Sequence, residues 1–242
     1  MIAATFANLA LAEKRVNSQN GEDGVIEAVF GLIGVTNRYF VEFGVHDAVE
    51  CNTANLLWQG WKGLMMDGKG ISRNLAATVQ REFITAENVN ELFAKYGVPP
   101  AFDYLSIDID GNDYWVWRAL EYRPRVVTIE YNAHVSPDLR RAIAYDPHFK
   151  WNGSDYFGAS LRALAELGSR KGYELVHCEH TGTNAFFVAR SELPAYYVPR
   201  PLEDIYRPPN YMNAGLGFPR DPQLTMIDPE TPLFRSMDVS SG

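Results

Sequence analysis

Short apolar runs alternate with longer segments of helical spacing through the middle of this chain, and this alternation constrains the fold more than any other feature. A buried strand followed by a helix that crosses back over the sheet produces such a pattern, so it indicates a parallel α/β sheet. Seven runs are predicted to be strands: 39–43, 63–66, 82–85, 102–109, 126–131, 173–178 and 184–189. Five segments between them are predicted to be helices: 52–59, 71–81, 89–96, 113–120 and 159–171.

The last two runs differ from the others because a tight turn joins them. Residues 179–183 separate these runs, and the turn-forming Thr181, Gly182 and Thr183 in this short link favour an antiparallel hairpin. Five parallel strands and a terminal hairpin make a seven-stranded, mostly parallel sheet with helices on both faces. The fold class predicted from the sequence is therefore a Rossmann-like α/β domain.

The overall charge and the two cysteines exclude several classes of protein. The net charge is -8, and binding to phosphates needs clustered Lys and Arg, so no nucleic-acid partner is expected. Cys51 and Cys178 have neither metal-ligand spacing nor a disulfide framework, and both are expected to stay reduced. The first residues lack the basic start of a secretory signal, and no segment is apolar enough to cross a bilayer. A soluble, cytoplasmic protein without a membrane partner is the expectation.

Composition distinguishes three segments of a single domain. Residues 1–38 are predicted to form an N-terminal helical lid or cap, and residues 39–190 the sheet-forming core. Residues 191–242 are rich in Pro and Tyr and show no helical or strand periodicity, so an extended arm is expected there. Such an arm could wrap the domain, cover a site, or contact a second copy of the chain to form a homodimer.

The loop after the first strand limits the kind of cofactor that this sheet can hold. Ligands of doubly wound sheets bind at the carboxyl ends of strands, near the point where the strand order reverses. Gly44 follows the first strand and lets a ligand approach the backbone, but the loop lacks the GxGxxG pattern that cradles a pyrophosphate. Asp67 ends the second strand, where an acid binds ribose in dinucleotide folds, although it could simply form a turn. A nucleoside cofactor without a pyrophosphate, such as S-adenosylmethionine, is therefore favoured.

The end of the fourth strand is the most informative segment, because three acids lie there within six residues. Asp108, Asp110 and Asp113 would repel one another unless a cation, a sulfonium or an amine compensates them, or unless Asp113 only caps the next helix. Glu130 and Asn132 end the fifth strand, which would lie beside the fourth. Oxygens of Asp108, Glu130 and Asn132 could bind Mg²⁺ or another hard ion, or could equally orient an amine or hydroxyl of a substrate.

Several of these segments together resemble the FkbM-like branch of the class I S-adenosylmethionine-dependent methyltransferases. The matching pieces are 17–24 (NSQNGEDG), 40–44 (FVEFG), the strand end at Asp67, 102–111 (FDYLSIDIDG) and 129–132 (IEYN). The resemblance implies the class I methyltransferase fold, with S-adenosylmethionine as the cofactor. The residues it implies in cofactor binding are Glu42, Gly44 and Asp67, with Asn88 and Val89 beside the adenine and Asp108 near the methionine end.

Three further residues are candidates for the site, and each has a structural alternative. His46 could be a general base or hold the methionyl carboxylate, since histidine titrates near neutrality. Gln19 could fold over the cofactor, or its segment could simply cap the helix predicted at 25–30. Tyr156 lies in the long loop after the fifth strand, where its ring could contact the substrate or the sulfonium, or could only pack within the loop.

A methyltransferase that acts on a small molecule is the leading hypothesis, and the resemblance implies O-methylation. The strand-end acids, Asn132 and the Tyr156 loop would hold the acceptor, and Asp110 or His46 would be the base. Two departures from the family leave a second hypothesis open: 45–47 (VHD) is less glycine-rich than usual, and Asp110 replaces a usual Glu. That alternative is a cyclase or lyase that breaks S-adenosylmethionine itself and releases methylthioadenosine. A non-catalytic scaffold whose arm mediates assembly is the third hypothesis.

Overall fold

One mixed sheet organises the part of the chain that the computed structural model describes, residues 5–211 and 217–231. The seven strands of this part are β1 (Tyr39–Phe43), β2 (Lys62–Asp67), β3 (Val79–Arg81), β4 (Ala101–Ile107), β5 (Arg123–Glu130), β6 (Tyr173–Cys178) and β7 (Asn184–Ala189). Its helices are α1 (Glu22–Ile33), α2 (Ala54–Trp58), α3 (Val89–Lys95), α4 (Asp113–Ala119), α5 (Leu161–Lys171) and α6 (Leu202–Ile205). Short 3-10 turns at Leu9–Ala12 and Arg190–Glu192 complete these elements.

The order of the strands confirms the predicted fold. Neighbours in the sheet follow the order β3-β2-β1-β4-β5-β7-β6. The first five strands pair in parallel, whereas β7 is antiparallel to both β5 and β6. This is the arrangement of a Rossmann-like methyltransferase sheet with its terminal hairpin. The order reverses between β1 and β4, so a ligand crevice is expected at the carboxyl ends of these two strands.

Alternate residues along the strands point to opposite faces of the sheet and form two separate cores. On one face, Val41 and Phe43 pack with buried residues of α3, α4 and α5, among them Phe93 and Trp117. On the other face, Phe40 packs with buried residues of α1 and α2. Each large apolar side chain that is fully buried contributes about 1.5–3 kcal/mol. The sheet is therefore held from both sides, which fixes the positions of its strand ends.

The predicted helix at 71–81 and the predicted strand at 82–85 are wrong. The chain turns after β2, and β3 begins within the segment that was expected to be helical. Leu75 is fully exposed, so a helix formed by this segment would have no core against which its apolar residues could pack. Asn74 favours a turn instead, because its Oδ1 accepts a hydrogen bond from the backbone nitrogen two residues later at 3.0 Å.

Asp103 is a fully buried acid that fastens the loop before β1 to β4. Its carboxylate accepts hydrogen bonds from the backbone nitrogens of Thr36, Asn37 and Arg38. It also forms an ion pair with Arg125 at 2.8 Å. Burial alone would raise the pKa of Asp103, but the Arg125 guanidinium and the Thr36 bonds hold it below its ordinary value. The charged form of Asp103 therefore stabilises the fold.

Asp103→Ala is expected to lower the free energy of unfolding by about 3–5 kcal/mol at neutral pH, because it removes the acceptor that Arg125 and three backbone donors share. Urea denaturation followed by circular dichroism measures this loss, with the exposed Asp138→Ala as the control. A depressed pKa stabilises the fold above the ordinary carboxyl range, so the difference between wild type and variant should shrink as the pH falls through that range. A loss below about 1 kcal/mol, the size of an exposed ion pair, would contradict this role.

Two segments of the described part of the arm are held against loops on the carboxyl side of the sheet. The backbone nitrogen of Asn210 donates to the oxygen of Thr181, in the turn between β6 and β7, at 2.8 Å. The backbone nitrogen of Phe218 donates to Nε2 of His134 at 2.8 Å. The arm therefore borders the end of the sheet where a ligand is expected, while its role as a dimer contact stays a prediction. Among the described helices, none combines the length and the apolar character needed to span a membrane.

Candidate active site

A cavity of about 580 Å³ opens at the carboxyl ends of β1, β4 and β5, beside the reversal of strand order. The predicted site residues that line it are Gln19, Glu42, Gly44, His46, Asp108, Asp110 and Glu130. Further lining residues include Arg15, Asn20, Glu22, Glu50, Asn52, Trp151, Phe157, Asn184, Tyr211 and Phe218. Because ligands of doubly wound sheets bind at this edge, the cavity is the candidate active site.

Gly44 brings the loops after β1 and β4 into direct backbone contact. Its φ is +83°, in the left-handed region, and a Cβ built on it would lie 1.4 Å from the backbone oxygen of Asp108. His46 and Asp110, with φ values of 50° and 55°, also adopt the left-handed region although neither is glycine. Such backbone strain persists only where the surrounding structure enforces it, and it is concentrated at functional sites.

Asp67 supports the loop after β1 and does not line the cavity. Its Oδ2 accepts a hydrogen bond from the backbone nitrogen of His46 at 3.1 Å. Its Oδ1 accepts one from the backbone nitrogen of Lys69 at 2.7 Å. Asp67 therefore helps to hold His46 in its strained conformation, and a contact between Asp67 and a ribose stays a prediction.

Glu42 lines the cavity and also anchors the start of α2. Its carboxylate accepts hydrogen bonds from the backbone nitrogens of Asn52 and Thr53, each at 2.9 Å, and from the Thr53 hydroxyl. Burial raises the pKa of Glu42 despite these hydrogen bonds, which lower it. The side chain of Asn52 continues the network by donating to Oγ of Ser106 at 3.0 Å. Glu42 therefore couples the end of β1 to the next helix and to β4.

Three carboxyl groups meet at the ends of β4 and β5. One oxygen from each of Asp108, Asp110 and Glu130 lies within 4.8 Å of the other two. Burial, and then repulsion within this group and from Asp113, raise the pKa of Asp108 and Glu130 well above the ordinary range. Burial also raises the pKa of Asp110, against the opposing effect of His46, and it raises that of Asp113 to about 6. An amine, a sulfonium or a hard metal ion would relieve this repulsion.

The structure does not bring Asn88 and Val89 into the cavity. Oδ1 of Asn88 accepts a hydrogen bond from the backbone nitrogen of Thr85, and its Nδ2 donates to the oxygen of Phe83, each at 2.8 Å. Val89 is fully buried in the core as the first residue of α3. Both residues therefore serve the start of this helix, and nothing in their surroundings favours the predicted contact with an adenine.

Asn132 and Tyr156 are held by backbone groups and do not line the cavity, and their predicted catalytic and metal-binding roles stay predictions. Nδ2 of Asn132 donates to the backbone oxygens of Asp155 and Phe157, and its Oδ1 accepts from the backbone nitrogen of His134. The Tyr156 hydroxyl accepts a hydrogen bond from the backbone of residue 144 at 3.1 Å. The carboxyl group that lies closest to both Asp108 and Glu130 in a possible ligand set is that of Asp110, and a metal ligand role of Asn132 stays a prediction.

Gln19 lies in a loop that borders the cavity just before α1. Oδ2 of Asp23 accepts hydrogen bonds from the backbone nitrogens of Val16, Asn17 and Ser18 at 2.7–2.8 Å. Asp23 therefore folds residues 16–18 back over the start of the helix and carries Gln19 to the cavity. One acid of this segment thus organises the helix start, and Gln19 lies at the candidate site, where its contact with a cofactor stays a prediction.

Asn184 is the clearest lining residue that the sequence analysis missed. It is the first residue of β7, and the antiparallel register pairs it with Glu130 at the end of β5. The predicted hairpin contained this information, because an antiparallel strand begins where its parallel-sheet neighbour ends. Tyr211 and Phe218 carried no such signal, since they lie in the arm, where the sequence has no periodicity.

Comparison with solved structures gives distant likenesses. No protein-family model matches the chain, and no curated protein matches it. One similar solved structure is the N-terminal domain of EvdMO1 with SAH bound, at 15% identity and a TM-score of 0.45, covering 72% of this chain and 82% of that chain. Another is the same domain in the presence of SAH and D-fucose, at 14% identity and a TM-score of 0.44, covering 70% of this chain and 82% of that chain. The fold assignment given above rests on the strand order.

Proposed function

We propose that this protein is an S-adenosylmethionine-dependent methyltransferase that acts on a small molecule. The observation that carries the proposal is the cavity at the strand-order reversal of a Rossmann-like methyltransferase sheet, lined by Gly44 and by uncompensated acids. The loop at Gly44 allows close approach to the backbone but has no cradle for a pyrophosphate. A nucleoside cofactor with a positive charge fits both features.

The chain's own groups suit such a cofactor at the ends of β1 and β4. Gly44 has no side chain, so the loop after β1 can lie against the backbone of Asp108, and the carboxyl group of Asp108 lines the same cavity. Gln19 and His46 border this space, with the backbone of His46 fixed by Asp67. When bound, S-adenosylmethionine supplies an electrophilic methyl group. The residues named here would bind and orient it, and a direct role of Asp67 in ribose binding is part of the proposal.

The acceptor side of the proposed site lies at the ends of β4 and β5. Asp110 and His46 are the candidate bases, because both line the cavity beside the ends of β1 and β4. The choice of an oxygen as the acceptor atom rests on the family resemblance of the sequence, which implies O-methylation. The group of Asp108, Asp110 and Glu130 has the oxygen donors that Mg²⁺ prefers, so metal dependence is tested together with the reaction.

Titration calorimetry and product analysis test this proposal. S-adenosylhomocysteine is expected to bind to the purified protein at least about 100-fold more tightly than NAD⁺, because the loop at Gly44 lacks a pyrophosphate cradle. Incubation with S-adenosylmethionine alone, with and without EDTA, is then analysed by mass spectrometry. We expect little turnover until an acceptor is added, and S-adenosylhomocysteine as the product once it is. Methylthioadenosine formed without an acceptor would show a cyclase or lyase, and failure to bind either ligand would favour a scaffold.

A further inference from the structure

Where β5 and β7 meet the cavity, two paired residues present oxygens that lack hydrogen-bond donors. Glu130, the last residue of β5, is in register with Asn184, the first residue of β7, and both line the cavity. Oε2 of Glu130 and Oδ1 of Asn184 are buried, and neither has a hydrogen-bond partner within the described residues. Asn184 is only 4% exposed. A buried acceptor without a donor is costly, so these two oxygens indicate a ligand that donates to them.

The orientation of the Asn184 amide is fixed by its other atom. Nδ2 of Asn184 donates to Oε1 of Glu22 at 2.9 Å. Glu22 is fully buried and also accepts from the backbone and side chain of Asn20, so its carboxylate acts as an acceptor on every contact. Since the nitrogen of Asn184 must face Glu22, its oxygen is the atom left for a donor from a ligand.

The lack of cations near three acids of the cavity favours a positively charged donor. Six carboxyl groups line the cavity, and three of them, Glu22, Glu42 and Glu50, have hydrogen-bond or ion-pair partners in the chain. The other three, Asp108, Asp110 and Glu130, form no ion pair with any Lys or Arg among residues 5–211 and 217–231. One positive charge on the cofactor would leave part of this acidic group uncompensated.

Aromatic rings next to these acids favour an organic cation over a metal ion. Trp151, Phe157, Tyr211 and Phe218 line the cavity together, and we call them the aromatic wall. Ring centroids lie 4.8 Å apart for Trp151 and Phe218, and 5.2 Å apart for Tyr211 and Phe218. Glu130 lines the same cavity as these four rings, so a ligand bound there can meet both the acid and the wall. Ring faces attract ammonium groups and their attached carbons, whereas a hard metal ion requires further oxygen ligands.

We propose that this end of the cavity recognises a protonated amine on the acceptor substrate, with Glu130 and Asn184 accepting its N–H groups and the aromatic wall packing against its carbon atoms. The proposal rests on the proposed function, since it specifies the acceptor of the same site. It concerns recognition, and the methylated atom is a separate question. The substrate class is thus a small amine-bearing molecule, and a neutral molecule of the same shape is a poor ligand.

Binding of benzylamine and benzyl alcohol tests this proposal, because the two probes share a ring and a size but differ in charge. Each probe is titrated in EDTA into the wild-type protein, with and without saturating S-adenosylhomocysteine, and followed by ligand-detected NMR. We expect benzylamine to bind at least about tenfold more tightly than benzyl alcohol. Glu130→Gln should remove most of this preference, whereas Glu27→Gln, on the exposed face of α1, should leave it unchanged.

The outcomes separate this proposal from the proposed function. Equal affinity of the wild type for the two probes would overturn the amine site, and this comparison requires no variant that has to fold. In a separate titration without EDTA, displacement of benzylamine by stoichiometric Mg²⁺ would overturn it too, in favour of a metal site. An amine preference in a protein that does not bind S-adenosylhomocysteine would support the amine site and contradict the methyltransferase. Binding of S-adenosylhomocysteine with no amine preference would support the methyltransferase and overturn the amine site.

Discussion

Gly44→Ala is expected to abolish detectable binding of S-adenosylhomocysteine and to lower the free energy of unfolding by at least about 2 kcal/mol. The new Cβ would lie 1.4 Å from the backbone oxygen of Asp108, so one of the two loops must move. No side-chain rotation can relieve this overlap, because the atom it meets belongs to the backbone. The left-handed φ of +83° adds a further cost for any residue with a Cβ.

Gly60→Ala is the matched control for this substitution. Gly60 has a φ of +79°, but a Cβ built on it meets nothing within 4 Å. This control carries the same conformational cost without the overlap, and it lies outside the cavity. Calorimetric titration and thermal unfolding of the two variants therefore separate the strain from the clash. If Gly44→Ala retained wild-type affinity, or if Gly60→Ala lost as much affinity, the assigned role of the loop contact would be wrong.

Asp108→Asn is expected to stabilise the protein above neutral pH while it lowers cofactor affinity and turnover by about 100-fold or more. Burial and the neighbouring acids raise the pKa of Asp108 well above the ordinary carboxyl range. The folded protein thus binds protons at this group more tightly than the unfolded chain, so wild-type stability falls as the pH rises from the ordinary carboxyl pKa to the raised one. An amide has no charge to bury, so the variant avoids this loss.

Thermal unfolding between pH 5 and pH 8.5 measures the effect. The melting temperature of Asp108→Asn should exceed that of the wild type by about 2–6 °C at the upper end and approach it at the lower end. The exposed Asp138→Asn should follow the wild type throughout. A variant that is less stable than the wild type at pH 8.5 would show that the Asp108 charge supports the fold, contrary to this account.

The strand ends were predictable from the sequence because the sheet itself was predictable. Apolar runs that stop at Gly44, Asp67 and Asp108 mark the carboxyl ends of parallel strands, and the topology brings those ends to one edge. The turn at 71–78 was not predictable from spacing, because apolar residues at helical intervals form a helix only when a core receives them. Exposure of Leu75 is decided by the packing of the whole domain and has no local signature.

The site residues were less predictable, because side-chain hydrogen bonds that the sequence does not show decide which of them face the cavity. Asn132 follows a strand end as closely as Asp110 does, and sequence position cannot show that its amide is used by the loop after β5. Asn184 could have been found from the hairpin register, which places it beside Glu130. Tyr211 and Phe218 could not, since an arm without periodicity gives no information on which ring turns towards the cavity.

Titration of S-adenosylhomocysteine and NAD⁺ into the wild-type protein tests the central claim most directly, namely that the cavity beside Gly44 holds a nucleoside cofactor without a pyrophosphate. We predict saturable binding of S-adenosylhomocysteine with one site per chain, at an affinity at least about 100-fold above that of NAD⁺. Comparable or tighter binding of NAD⁺, or no binding of S-adenosylhomocysteine, would contradict it.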